Sequence, residues 1–465
     1  MAPRLVHYSD VENVYDTPER AGRLAGLLRE LDGEDALLAG SGDNTSPGVL
    51  ALVEEGAQAI DFFDAVDPDV ETFGNHEFDH GLPALRAVVA DSPQTWVSAN
   101  VWEDDADPAN RSDADRFAAE AGVVPSTVAE ADGYTVGFVG VTTERTGSIN
   151  PEATDLDFTD PIETAGDVLA EMDADYSVVV SHLGQGDEEL ARAVEADAIL
   201  GGHVPTERRD RIDGTLLTRP GDGGSVVLEI DLGTGEVTRH RVADAPLCEE
   251  VAEAMRNRLA ETGLNEVVGT VSEPLDRAES TLFGGEARLG NLVADAYRRT
   301  TGADVGLQNS GGVRTGDAIA GEITAADLVS VTPFEERIVL AEVPGSALHE
   351  AFEWAASPEL GFAEPGWWHA HVSGAEVVWN PDEATVESVR VGGEPLAEDR
   401  TYSVALSDYV LHTDDEFPTL REDYRVETGG IQYDVLVEYV RENEIAPEIE
   451  GRIVGTETAE SEATD

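Results

Sequence analysis

The 465-residue chain contains no lysine, so its 29 cationic side chains are all arginine. It has a single cysteine, Cys248, which excludes an internal disulfide framework. No run of about eighteen apolar residues occurs, so no transmembrane helix is expected. The opening Met1-Ala2-Pro3-Arg4-Leu5-Val6 runs straight into a strand-like stretch with no signal-peptide core, and a cytoplasmic location is the expectation. Positive charge is scarce: 96 acidic residues stand against those 29, a net charge of −67. Such a surface repels phosphate backbones and anionic lipid, so neither nucleic acid nor membrane is an expected partner, and no protein partner is evident.

What is present is the pattern of a folded protein. Hydrophobic residues make up 41% of the chain and recur with regular periodicity between glycine-rich turns. An acidic excess of this size suits high salt, because at molar ionic strength the screening length falls to about 3 Å. The composition resembles that of halophilic archaeal proteins. Length alone implies two to four domains.

In the first half, a unit repeats: an apolar β-rich run, a polar group at its C-terminal end, then a helix. Arg4-Leu5-Val6-His7-Tyr8-Ser9-Asp10 reads as a strand ending in a carboxylate, and Asp10 and Glu12 in an extended chain would point to one side. Ala36-Leu37-Leu38-Ala39-Gly40-Ser41-Gly42-Asp43-Asn44 reads as a second strand, ending in glycine and then Asp43. Val70-Glu71-Thr72-Phe73 leads to Gly74-Asn75-His76-Glu77-Phe78-Asp79, where Gly74 permits a turn. The runs ending in His182 and His203 follow. A lone Asp after a strand is usually a helix cap. Five strand ends carrying Asp, Asn or His point instead to a metal site gathered where strands end.

Gly-Asn-His-Glu-Phe-Asp resembles the signature of the 5'-nucleotidases. The resemblance implies a four-layer α/β/β/α metallophosphoesterase sandwich (residues 1–243), a linker helix (244–265) and an α/β substrate-binding domain (266–455), with 456–465 a disordered acidic tail. It implies two divalent metal ions, Mn, Mg, Co or Zn, and a nucleotide substrate. Asp43 would bridge the ions. Asn75, His182 and His203 would complete one site, and Asp10 with Glu12 the other. His76 would stabilise the transferring phosphoryl group and Asp79 would orient His76. The implied reaction is hydrolysis of nucleoside 5'-monophosphates. Cleavage of 2',3'-cyclic nucleotides or UDP-sugars, or nucleotide binding without catalysis, stays open.

Two departures fall around the second ion. Glu12 stands where the family has histidine, and Pro205 stands where it has histidine or glutamine. Glu207 is a candidate to fill the gap, and an oxygen-rich site favours a harder ion. In the second domain, Asn309-Ser310-Gly311-Gly312-Val313-Arg314 resembles the family's substrate box, with Asn309 and Arg314 as contacts. Its glycines could bring backbone amides to an anion. Phe334 and Tyr409 match the stacking aromatics, and Asp415 the ribose contact. The family's further arginine falls near Phe283, with Arg277 or Arg288 as possible substitutes.

Overall fold

The computed structural model describes residues 2–103, 110–357, 366–413 and 416–456. The chain forms two compact units, Met1–Thr262 and Gly263–Asp465.

The N-terminal unit contains two six-stranded sheets. The first runs in the order Val237–Arg241, Val226–Asp231, Arg4–Tyr8, Ala36–Gly40, Val70–Glu71, Thr95–Trp96. Its last four strands are parallel, and the first two form an antiparallel hairpin at one edge. The second runs Arg208–Ile212, Thr215–Arg219, Ala198–Gly201, Tyr176–His182, Tyr134–Thr142, Ser126–Ala131, with four parallel strands between antiparallel edges.

Side chains alternate across each strand, so each sheet has two faces to bury. Leu5, Leu37, Ala39 and Val70 of the first sheet meet Phe138, Val178, Val180 and Leu200 of the second in one core. On the outer face of the first sheet, Tyr8 packs edge-on against Phe62 of the helix Gln58–Val66, ring centres 6.2 Å apart. On the outer face of the second, Val179, Ile199 and Leu217 pack with Ala165 and Leu190 of the helices Pro161–Glu171 and Asp187–Ala193. The result is a four-layer α/β/β/α sandwich.

A buried histidine spans the interior between the sheets. His7 is fully buried, with Nδ1 3.0 Å from Thr218 Oγ1 on the second sheet and Nε2 2.9 Å from Ser41 Oγ on the first. Burial, helped by the charge of Arg219, pulls its pKa down to about 3, so the ring is neutral near pH 7.

The helix Glu249–Glu261 lies within the linker helix expected over 244–265. It belongs to the N-terminal unit, and its Val251, Ala252 and Met255 are fully buried. The segment leading into it packs closely on the helix Pro18–Leu31. A Cβ on Gly26 would lie 2.0 Å from the Pro246 carbonyl oxygen, and Cys248 N donates to Gly22 O at 2.8 Å. Glycine in the older helix is what admits this approach.

The C-terminal unit is built on a five-stranded sheet ordered Ala370–Ser373, Val305–Asn309, Thr401–Ser407, Arg337–Pro344, Arg425–Ile431. Val305, Leu307, Val339, Val404 and Leu406 of that sheet share a core with Leu348 and Phe352 of the helix Gly345–Ala355 and with Trp368. A four-stranded sheet and a two-stranded ribbon complete the unit. The tail expected to be disordered from 456 begins anchored: Thr456 N donates to Trp379 O at 2.8 Å. Residues 457–465 lie outside the described residues.

Candidate metal centre

The strand ends of the sandwich converge. Asp10 follows Arg4–Tyr8, Asp43 follows Ala36–Gly40, and Asn75 and His76 follow Val70–Glu71. His182 is the last residue of Tyr176–His182, and His203 lies just past Ala198–Gly201. The two sheets meet here: His182 Nε2 lies 3.0 Å from Asp43 Oδ2.

Asp43, His182 and His203 each offer a ligand atom, and all three atoms lie within 4.8 Å of one another. His182 Nδ1 donates to the Ser41 carbonyl at 2.7 Å, which fixes the tautomer and leaves Nε2 facing Asp43. Asn75 Oδ1 is buried and has no hydrogen-bond partner among the described residues. An unbonded buried carbonyl costs about 1–3 kcal/mol, and a hard cation satisfies it. The donor set of Asp43, His182 and His203 therefore fits a divalent ion, with the bare oxygen of Asn75 as a further candidate donor.

Asp10 and Glu12 stand beside Asp43. Asp10 accepts from His203 N at 3.0 Å and from the Ser9 hydroxyl. Asp10 N donates to Gly42 O at 3.0 Å and Glu12 N to Asp43 O at 3.1 Å, tying the two loops together. The pair is not extended: Asp10 and Glu12 have φ of 47° and 51°, and a 3-10 turn starts at Glu12. Asp43 (53°) and His203 (74°) share this left-handed backbone. Four candidate ligands are thus held in a conformation that non-glycine residues rarely adopt.

The electrostatics match a cation site. Burial raises the pKa of Asp10 to about 7, with His182 opposing and Asp43 adding to the shift. Burial, then Asp43 and Asp10, lift Glu12 to about 7. Carboxylates crowded out of water in this way call for compensating positive charge. His203 is pushed down to about 4, by burial first and then by His182, so it presents a neutral ring. Pro205 offers no ligand. Glu207 spends its carboxylate on Arg239 (2.6 Å) and Arg209 (3.3 Å).

Glycine at 74 serves close approach rather than an unusual dihedral. A Cβ there would lie 2.1 Å from Asp43 Oδ1. Gly42 needs both freedoms: its φ is 89°, and a Cβ would lie 2.7 Å from His182 Nδ1.

Beside the ligands, His76 Nδ1 lies 2.8 Å from Asp79 Oδ2, and both side chains are partly exposed. Burial opposes charging of His76, but Asp43 and Asp79 outweigh it and carry the pKa up to about 10. Two residues that carried no expected role complete the frame. Asn150 Nδ2 donates to Asp79 Oδ1 at 2.9 Å and to the Asn75 carbonyl at 2.8 Å, bracing the pair from behind. Glu77 is buried and accepts the backbone N–H groups of Gly74 (2.6 Å), Asn44 (2.7 Å) and Asp43 (2.8 Å). It stood inside the recognised motif; the spacing Gly74-x-x-Glu77 was its only local signal.

In the C-terminal unit, Asn309 ends the strand Val305–Asn309. It is buried, donating to Glu416 Oε1 at 3.0 Å and accepting from Gln308 Nε2 at 2.8 Å. A Cβ on Gly312 would lie 2.2 Å from Gln308 Nε2, so this glycine makes room for side-chain amides. Arg314 stacks over the Phe334 ring, Cζ 4.8 Å from its centre. Tyr409 lies on the helix Asp408–His412 and is 38% exposed. Asp415 lies outside the described residues. Phe283 stacks on Trp367 at 4.4 Å. Arg277 is bound to Ser330 and Arg288 to the Pro274 carbonyl, so each is committed within its own surroundings.

Metal-dependent phosphoric ester hydrolases build their centre on such a sandwich, and comparison with known proteins places the chain in that class. Residues 3–207 match the family model described as calcineurin-like phosphoesterase, and residues 267–422 match the one described as 5'-nucleotidase, C-terminal domain. The chain therefore carries a calcineurin-like phosphoesterase domain followed by a 5'-nucleotidase C-terminal domain.

Individual relatives are distant. The chain is 25% identical over 510 residues to the trifunctional nucleotide phosphoesterase protein YfkN of Bacillus subtilis, covering 97% of this chain and 34% of that one. It is 25% identical over 533 residues to a 5'-nucleotidase of Diplobatis ommata, covering 98% and 90%. Its fold is similar to that of a 5'-nucleotidase precursor from Thermus thermophilus, with a TM-score of 0.72 at 24% identity, covering 98% and 100%. Among the described residues no helix is long and apolar enough to cross a membrane.

Proposed function

We propose that the chain hydrolyses nucleoside 5'-monophosphates to nucleoside and phosphate at a binuclear divalent-metal centre. The observation that carries this reading is the convergence of ligand atoms on Asp43, His182 and His203, together with the unbonded buried oxygen of Asn75, the residue next in sequence to His76. A second ion would rest on Asp10, Glu12 and the shared Asp43, an oxygen-rich set that favours Mn²⁺ or Mg²⁺ over Zn²⁺. Two such ions, when bound, would supply Lewis acidity and lower the pKa of a bound water.

The chain's own groups do the rest. His76, held through Nδ1 by Asp79, turns Nε2 and its positive charge toward the transferring phosphoryl oxygens. Asn150 keeps Asp79 from rotating away. In the C-terminal unit, Phe334 and Tyr409 hold the base by its faces, with Asn309, Arg314 and Asp415 as polar contacts. The acidic surface, net −67, suits the protein to concentrated salt.

The test is phosphate release from AMP in about 2–4 M salt, where surface repulsion is screened, with Mn²⁺, Mg²⁺, Co²⁺ and Zn²⁺ in parallel. Metal-dependent release that is lost in His76→Ala, with metal still bound, supports the reading. Release from cyclic nucleotides or UDP-sugars alone would move the assignment to a diesterase. No release from any of them would leave a binding protein.

A further inference from the structure

We infer that Arg145 is the phosphate-gripping cation of the N-terminal unit, a substrate-positioning residue no motif marks; this rests on the phosphoester hydrolase reading above. The segment that carries it overhangs the centre. Thr142 is paired in register with His182, and Thr143 N donates to the His182 carbonyl at 3.2 Å. Arg145 N then donates to Thr143 Oγ1 at 3.4 Å. Five residues on, Asn150 is bonded to Asn75 and Asp79. Residues 143–150 therefore run from the histidine side of the centre to the His76–Asp79 side. Arg145 is exposed along that path.

Its chemistry sets it apart. Every other arginine in the described residues of Met1–Thr262 meets a carboxylate or a hydrogen-bond acceptor. Arg4, Arg86, Arg219 and Arg258 are ion-paired, and Arg20, Arg23 and Arg211 bond backbone oxygens. The Arg145 guanidinium meets none among the described residues. In a chain with 96 acidic side chains, a cation without a partner is the exception, and this one stands at the rim of the centre. A strongly acidic surface repels a phosphate dianion, and a planar guanidinium offers it two parallel hydrogen bonds. The occupant is the phosphoryl group of a monoester, or inorganic phosphate as product.

The test uses the full-length metal-loaded protein and its Arg145→Gln and Arg145→Lys variants. Calorimetry with inorganic phosphate gives a Kd, AMP hydrolysis gives KM and kcat, and elemental analysis gives metal content. Arg145→Gln is expected to weaken phosphate binding and raise the KM by roughly tenfold or more, the scale of a charged hydrogen bond. Its metal content should be unchanged and its kcat less affected. Arg145→Lys should recover part of the loss, because it restores charge but not the fork. An unchanged phosphate Kd in Arg145→Gln, or a wild type that binds no phosphate, overturns the inference. If phosphate binding falls as expected while the wild type releases nothing from AMP, the cation site stands and only the monophosphatase assignment fails.

Discussion

The acid response of His7 can be worked out in advance. The ring bridges the two sheets between Thr218 and Ser41, and both contacts are made without a charge. Its pKa is about 3 in the fold against an ordinary value near 6.5. The unfolded chain therefore binds a proton that the folded chain refuses, and stability rises with pH through this window. Stability from this group is complete above about pH 6.5 and is lost as pH falls toward 3. Linkage puts the loss at about 2 kcal/mol between pH 7 and pH 5, and about 3 kcal/mol by pH 4. The assay is urea unfolding in molar salt, so that titration of the acidic surface contributes little. Wild type is compared with His7→Gln, and Trp96 and Trp102 report on this unit. The variant should be less stable at pH 7, and its deficit should shrink by about 2 kcal/mol on going to pH 5. A deficit that stays constant from pH 7 to pH 5 would refute the neutral-bridge account.

Two further outcomes follow from the site. Gly74→Ala should abolish metal binding at the Asp43 site, because its Cβ falls 2.1 Å from Asp43 Oδ1; elemental analysis checks this, and full metal content would contradict it. Asn150→Ala should lower kcat by about tenfold to a hundredfold while metal content holds, since it frees Asp79 without touching a ligand. A kcat equal to wild type would show that Asp79 needs no brace.

Much of the centre was legible because its residues end apolar strands, and strand ends are recognisable locally. Asp43, His182 and His203 each close such a run, and the structure brings their ligand atoms together. Glu77 and Asn150 carry no such mark. Glu77 reaches Asp43 across 34 residues, and Asn150 reaches Asp79 across 71. Bonds of that span are products of the assembled sandwich, and nothing in the neighbouring sequence announces them. His7 reads as one more buried strand position until Thr218, 211 residues away, is seen against it. The packing of the helix Glu249–Glu261 and its lead-in on Pro18–Leu31 is equally unmarked, because the approach is made at Gly22 and Gly26, where the signal is a missing side chain. In the C-terminal unit the same limit applied to Gly312, whose small size serves its neighbours' amides.

The left-handed backbone shared by Asp10, Glu12, Asp43 and His203 has a thermodynamic consequence. Each such residue raises the energy of the folded state by about 1–2 kcal/mol. That sum is charged to folding, before any ion or substrate arrives. On the proposed reading an ion meets no ordering cost at these four positions, and its affinity is drawn from the stability of the sandwich beneath them. A sandwich cross-pinned by His7 and filled on three layers can carry that debt. The preorganised centre and the rigid core are two sides of one free-energy balance.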